Sequence, residues 1–532
     1  MTGNVSLLEI SGLQDGLGLL ARVPTDDPLV AEQQLLHILD SLLAAPPPRA
    51  VLLPLLERMR APLAAIADEM VRGYQNSPLP LDEEADDLFG RVVRGWRKMA
   101  QAYALCEMPA SDAEGRLSDP ALAATILHRS LHYVGMVIFE HYRAHRELPA
   151  GIWLELHALY RNAESWGVAY TPVENGLETT LHATHCAAAY AAQLLIEIAS
   201  PYSQSIRDLA LIRRWAAMWA PLVAIRPLDD DSLPPYLVEL NRDQPLHQSA
   251  SAEEASDQET RQLDTSRLGL QIDHLLGQLR QRITPSQLGL GDETTGHVVR
   301  LLGHLARPWT QSALPRRFRR FPTSGIALSC SGFDSIYYHV SGEVFEQPDS
   351  ADVYSRGEFN EIFTFREQVE PGLALNIRKH ADYPVDEWAV INHSANGFRL
   401  VRGCAGQRVT HGELLALCPH DGERFLLVQV TWLMQEAAGG LVAGVAILPG
   451  MPVGVGVRPS TDVMASSERF VPAFLLPEVP AIREEASLVL PTGLYQASHR
   501  LDIRVGEDVR QVRMNHVLQL GSDFVRISYQ SI

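Results

Sequence analysis

Apolar residues recur three and four apart through the first part of the chain, then give way after Pro308 to short runs rich in Val, Ile and Leu. In "LLPLLERMRAPLAAIADEM", Leu52, Leu55, Leu56, Met59, Leu63, Ile66, Ala67 and Met70 trace one buried stripe of a helix, with Pro62 placed to kink it. Similar stripes predict helices over 82–108, 119–147, 152–166, 177–199 and 205–224, separated by breakers such as "NSPLP" and "ELPAG". "WLELHALYRNAESWG" has the look of the first helix of a tetratricopeptide unit, with no second copy at a fixed period. The expectation is therefore an irregular helical bundle. Pro, Asp, Ser and Glu crowd 226–262, where a linker is expected, and helical spacing resumes in "LGLQIDHLLGQLRQRI" and "GHVVRLLGHLARPW".

Beyond Pro308, "IALSCSGFDSIYYHV", "EWAVINHSANGFRLV", "RFLLVQVTWLM" and "LVAGVAILP" predict strands of an antiparallel barrel. Leu426, Val428, Val430 and Trp432 alternate as if on one face, and Trp388, Trp432 and Tyr337 are expected in the core. The tail from 484 repeats this texture and predicts a second small β-unit. The fold class expected is multidomain α + β, with an all-α N-terminal half and a β-barrel C-terminal half.

With 532 residues, several cores are expected. A formal charge of -19 would repel a phosphate backbone, which argues against duplex nucleic acid as a partner. The first residues lack the basic start of a signal peptide. The uncharged run Gly439 to Val457 is broken by Gly and Pro, so no membrane insertion is expected. Cys106, Cys186, Cys330, Cys404 and Cys418 form no CxxC pair, which suits a reducing compartment and predicts a cytoplasmic location.

No HExxH, P-loop or GxSxG pattern is present. His128 with His132, and His141 with His145, sit four apart on one predicted helix, and "LHATHC" adds His182, His185 and Cys186. Such spacing can serve a metal, which keeps a metal-dependent hydrolase as a minor alternative. No pair of carboxylates accompanies them, and no metal or other cofactor is expected.

Two motifs stand out against this background. "PRRFRRF" packs Arg316, Arg317, Arg319 and Arg320 into five positions of an acidic chain, and "INHSANGF" carries Asn392, Ser394 and Gly397. Arg316-x-x-x-Arg320 and Asn392-x-Ser394-x-x-Gly397 together resemble the RxxxR and [D/N]xSxxG pair of PilZ domains, small bacterial β-barrels that bind cyclic di-GMP. Long members of that group join a helical N-terminal half to a divergent C-terminal PilZ barrel. The chemistry agrees with the resemblance: a guanidinium fork donates to phosphate oxygens or to guanine O6 and N7, and its face stacks on a base. Asn392 and Ser394 would offer short polar groups, and Gly397 would let the backbone turn tightly toward a base.

The resemblance implies a helical domain over 1–240, a linker with connecting helices over 241–312, a PilZ-like barrel with an inserted β-unit over 313–462, and a small β-unit over 463–532. The insertion is required because 72 positions separate Arg320 from Asn392. Either the arginine run returns to the second motif, or Arg378 and Lys379 supply the charge there. The function implied is non-enzymatic reception of cyclic di-GMP, passed through the helical domain to a protein partner such as pilus, flagellar or polysaccharide machinery. The rival is an interaction scaffold whose barrel has lost its ligand.

Overall fold

The computed structural model describes the chain apart from residues 1–6, 11, 25, 113–115, 175, 177–182, 229–235, 249–258, 311–318, 348–382, 461–468, 498 and 507. The chain divides into two compact units, Met1–Ser77 with Leu81–Pro315, and Pro78–Pro80 with Arg316–Ile532.

The first unit is built from α1 (Leu13–Leu20), α2 (Pro28–Ala44), α3 (Arg49–Val71), α4 (Glu83–Ala104), α5 (Pro120–Arg143), α6 (Ile152–Ser165), α7 (Cys186–Ile198), α8 (Ile206–Trp219), α9 (Ser266–Arg280) and α10 (Thr295–Thr310). Local chemistry sets several starts. Asp27, Asp82 and Asp119 each accept a bond from a backbone N–H of the first turn, and Pro follows directly at Pro28 and Pro120. The predicted stripe of α3 is buried throughout, and the helix is continuous across Pro54 and Pro62. Helix α5 is apolar enough to cross a bilayer by length and composition, yet 83% of that stretch is buried inside the bundle.

The 226–262 stretch, expected as a linker, contributes most of a sheet. After the two-residue strands β1 (Val173–Glu174) and β2 (Ala183–Thr184), β3 (Ala224–Pro227), β4 (Tyr236–Glu239), β5 (His247–Gln248) and β6 (Thr260–Asp264) form an antiparallel sheet in the order β3-β6-β4-β5. Tyr236, Leu237, Val238 and Leu263 are buried, so this sheet is part of the packed unit. Helices α9 and α10 bury Leu268, Ile272, Leu302 and Trp309 in the same core as α3 and α5.

In the second unit come β7 (Phe321–Pro322), β8 (Ile326–Ser331), α11 (Phe333–Ser341), β9 (Asp386–Ser394), β10 (Gly397–Arg402), β11 (Leu414–Pro419), β12 (Leu426–Gln435) and β13 (Leu441–Ile447). Antiparallel pairings run β8-β9-β10-β13-β12-β11 and return to β8, closing a six-stranded barrel. A second closed barrel follows: β14 (Val453–Pro459), β15 (Val471–Leu476), β16 (Ser487–Pro491), β17 (Arg500–Val505), β18 (Asp508–Leu520) and β19 (Phe524–Ser531).

Three expectations change here. "SIYYHV" is part of a helix, not of an inserted β-unit: Phe333, Ile336, Tyr337 and Val340 have helical spacing and turn one face toward the core shared by the barrels. The Val-rich run after Gly439 is split between the barrels at Gly450, whose φ of 101° glycine tolerates, so β14 belongs to the second barrel. The register slips between Val430 and Trp432, so Val428 and Val430 are buried while Trp432 is only half-buried and Leu433 takes the inward place. Trp388 is in the core and Tyr337 lies at its margin.

Candidate functional site

Strands β9 and β10 form a hairpin with Ala395 and Asn396 at its tip, and the second predicted motif occupies that hairpin. Ser394 pairs with Gly397, His393 with Phe398, and Asn392 with Arg399. Just beyond, the register shifts so that Val390 faces Leu400, leaving Ile391 as an exposed bulge. Such a bulge twists the strand end and re-aims the residues after it. The Ser394 hydroxyl donates to Asn396 Oδ1 at 2.8 Å, which closes the tip and leaves its own lone pairs able to accept. The Asn392 amide forms no hydrogen bond among the described residues and is half-buried.

Gly397 has a different reason from the one expected. It is absent from the positive-φ glycines; instead, a Cβ there would lie 2.1 Å from the Val445 carbonyl oxygen on β13. The glycine is demanded by the neighbouring strand, which holds the hairpin against the barrel.

The arginine segment meets this hairpin. Phe321 pairs with His393 and Pro322 with Asn392, and Val390 N–H donates to the Gly325 carbonyl at 2.9 Å. Because β10 occupies the other edge of β9, β7 and β8 follow one another along a single edge. One step back in the same register brings the Arg320 backbone level with Ser394. Arg319 is exposed, with its guanidinium carbon 5.6 Å from the Phe321 ring centre, and that ring is 5.9 Å from His393. Arg320 is exposed and has a partner of its own. Arg316 and Arg317 lie outside the described residues, as do Arg378 and Lys379.

Sequence reasoning passed over Arg399 on this side of the barrel and assigned Trp432 to the core. Arg399, opposite Asn392, lies with its guanidinium carbon 5.7 Å from the centre of the Trp432 ring. The signal was present: a two-residue hairpin tip with Ser394 facing Gly397 puts Asn392 opposite Arg399 by counting alone.

Below this region Arg402 crosses the barrel interior. Its guanidinium donates to Asp386 and to the Gln407 carbonyl and lies 4.7 Å over Trp388; Gln407 N–H donates to Asp386 at 2.7 Å. This buried pair ties the start of β9 to the end of β10.

The histidine-rich helix is distinct in character. Burial, with Arg129 alongside, pushes His128 down to about 3, and burial takes His132 well below the usual histidine range. Burial also pushes His141 down to about 4, against the bond from its ring to the Val137 carbonyl. Neutral rings packed in a core are the result. Among the described residues no group of three or more His, Cys, Asp or Glu is disposed around a metal position.

Comparison with known proteins gives three family matches in chain order. Residues 17–230 match the N-terminal domain of the cyclic-di-GMP receptor FimW, residues 236–370 its middle PilZ domain, and residues 455–532 the FimW C-terminal β-barrel domain. The PilZ match takes in the arginine segment and ends before Asn392. The cyclic-di-GMP receptor FimW of Pseudomonas aeruginosa is 23% identical over 523 residues, covering 90% of this chain and 84% of that protein. With all three domains matched in order on a helical unit followed by two closed barrels, the chain belongs to the FimW family of PilZ-containing cyclic-di-GMP receptors.

Proposed function

We propose that this chain is a non-enzymatic cytoplasmic receptor that binds cyclic di-GMP at the β9–β10 hairpin, with Arg316, Arg317, Arg319 and Arg320 gathering phosphates and guanine edges and Asn392 and Ser394 meeting the base. One observation carries the reading: the pairing of Phe321 and Pro322 with His393 and Asn392. It returns the arginine segment to the second motif across the long insertion, and it favours the run at 316–320 over Arg378 and Lys379 as the source of charge. Family membership supports the same ligand, since the relative is named for it. Gly397 contributes by holding the hairpin.

The ligand is doubly anionic while the chain is acidic overall, so its attraction must be local. A guanidinium segment leading directly into β7 supplies that locality, and ligand binding would order one arrangement of it. The signal would then pass to a protein partner, with pilus, flagellar or polysaccharide machinery as the family-type targets.

Isothermal titration of the full chain with cyclic di-GMP tests this. Binding weakened about tenfold or more by Arg320→Ala and by Ser394→Ala is the expected result. Absence of heat at high ligand concentration would instead favour an interaction scaffold.

A further inference from the structure

We propose that Arg399 contacts the ligand directly, with Trp432 as its positioning residue, so that the nucleotide lies across the barrel wall from Asn392 toward Trp432. The inference deepens the receptor reading and rests on it.

Strand register supplies the geometry. Asn392 on β9 faces Arg399 on β10, Arg399 faces Gly444 on β13, and Gly444 faces Trp432 on β12. Residues directly opposite across neighbouring strands share a face, so these four form one row. That face is the outer one: Arg399 is exposed and Gly444 and Trp432 are half-buried, while their chain neighbours Leu400, Val445 and Leu433 are buried. The row crosses three strand spacings, roughly 14 Å.

Gly444 makes the row passable. With no side chain there, the Arg399 stem can lean over β13 and set its guanidinium on the indole. A Cβ at Gly444 would already stand 3.4 Å from Trp432 Cβ. The glycine thus keeps a lane open between the arginine and its platform.

The guanidinium is held but not satisfied. Among the described residues Arg399 forms no ion pair and no hydrogen bond; its guanidinium carbon lies 5.7 Å from the centre of the Trp432 ring, within cation–π range. An exposed arginine otherwise samples many rotamers, and immobilising such a chain on binding opposes affinity. The contact with the indole face restrains it beforehand and leaves its N–H groups available to a ligand. Those donors suit a planar pair of acceptors, either guanine O6 with N7 or two oxygens of a phosphate. A cyclic dinucleotide carries such acceptors at opposite ends, whereas a mononucleotide anchored at Asn392 would leave the far end of the row empty.

Competition titrations of the full chain with cyclic di-GMP, cyclic di-AMP and GMP test the assignment, beside thermal unfolding by circular dichroism. Arg399→Ala should weaken cyclic di-GMP binding about tenfold to a hundredfold, the range for one bidentate arginine contact. The unfolding midpoint should stay unchanged, and Arg399→Lys should not restore affinity. Trp432→Ala should weaken binding in the same direction by freeing the arginine. If the arginine meets guanine, Arg399→Ala narrows the preference over cyclic di-AMP; if it meets phosphate, both cyclic dinucleotides weaken together. Either pattern supports direct contact. Unchanged cyclic di-GMP affinity in Arg399→Ala, with the wild type binding, overturns this inference alone, as does a loss shared equally with GMP and accompanied by a lowered midpoint. Failure of the wild type to bind cyclic di-GMP overturns the receptor reading and this inference with it.

Discussion

Gly397→Ala separates a glycine needed by the ligand from one needed by the strand. The added Cβ would stand 2.1 Å from the Val445 carbonyl oxygen, 3.1 Å from its carbon and 3.3 Å from Ala446 Cα. All three are backbone atoms, so no side chain can swing aside; β10 must retreat from β13 where Gly397 pairs with Ala446. Overpacking of this kind costs about 1–3 kcal/mol, and losing one ladder hydrogen bond adds about 1 kcal/mol. The sum is about 2–4 kcal/mol of local opening energy. In a chain with several cores a single unfolding transition does not isolate that term. Hydrogen–deuterium exchange does: protection over 397–402 and 441–447 should fall about thirtyfold to several hundredfold, while α5 is unaffected. Gly403→Ala is the control, because a Cβ there meets nothing within 4 Å. Unchanged protection in Gly397→Ala together with lost ligand binding would refute the strand argument and return the glycine to the ligand.

Asp386→Ala should destabilise the first barrel by about 3–5 kcal/mol, since it strands the buried Arg402 guanidinium; hydrogen exchange over 386–394 and 397–402 reports it, and unchanged protection there would contradict the pairing. Acidification should weaken the helical unit. His128 and His141 resist protonation when folded, so below pH 6.5 the unfolded chain takes up protons that the folded chain refuses. Their stabilisation is complete above that pH and is lost at about 1.4 kcal/mol per residue per pH unit as the pH falls toward their folded values. Chemical denaturation at pH 7 and pH 5 should differ by about 2 kcal/mol for each histidine. A His128→Asn, His141→Gln double variant with an equally steep pH dependence would refute this.

What was legible beforehand follows from periodicity and local chemistry. The stripe of α3 and the short Val-, Ile- and Leu-rich runs of the barrel strands depend on neighbours within a turn or a pleat, and such neighbours are adjacent in sequence. The two motifs were legible for the same reason, and with them the family resemblance. Helix α11 was hidden because its stripe of Phe333, Ile336, Tyr337 and Val340 spans only nine residues directly after a strand, too short for three-and-four spacing to stand out from alternation.

Tertiary structure decided everything that requires distant residues to meet. Asp243 accepts from the backbone N–H groups of Gly151 and Trp153 and so caps α6 from 90 positions away; no local pattern marks it. Likewise, the division of one Val-rich run between two barrels depends on which edges close, and edge closure is a property of all six strands together. The role of Gly397 came from a strand some fifty residues downstream rather than from its own turn. The pairing of the arginine segment with β9, and the row from Asn392 to Trp432, rest on the same cause: sequence specifies which side chains are available, but hydrogen-bonded register across strands determines which of them share a face.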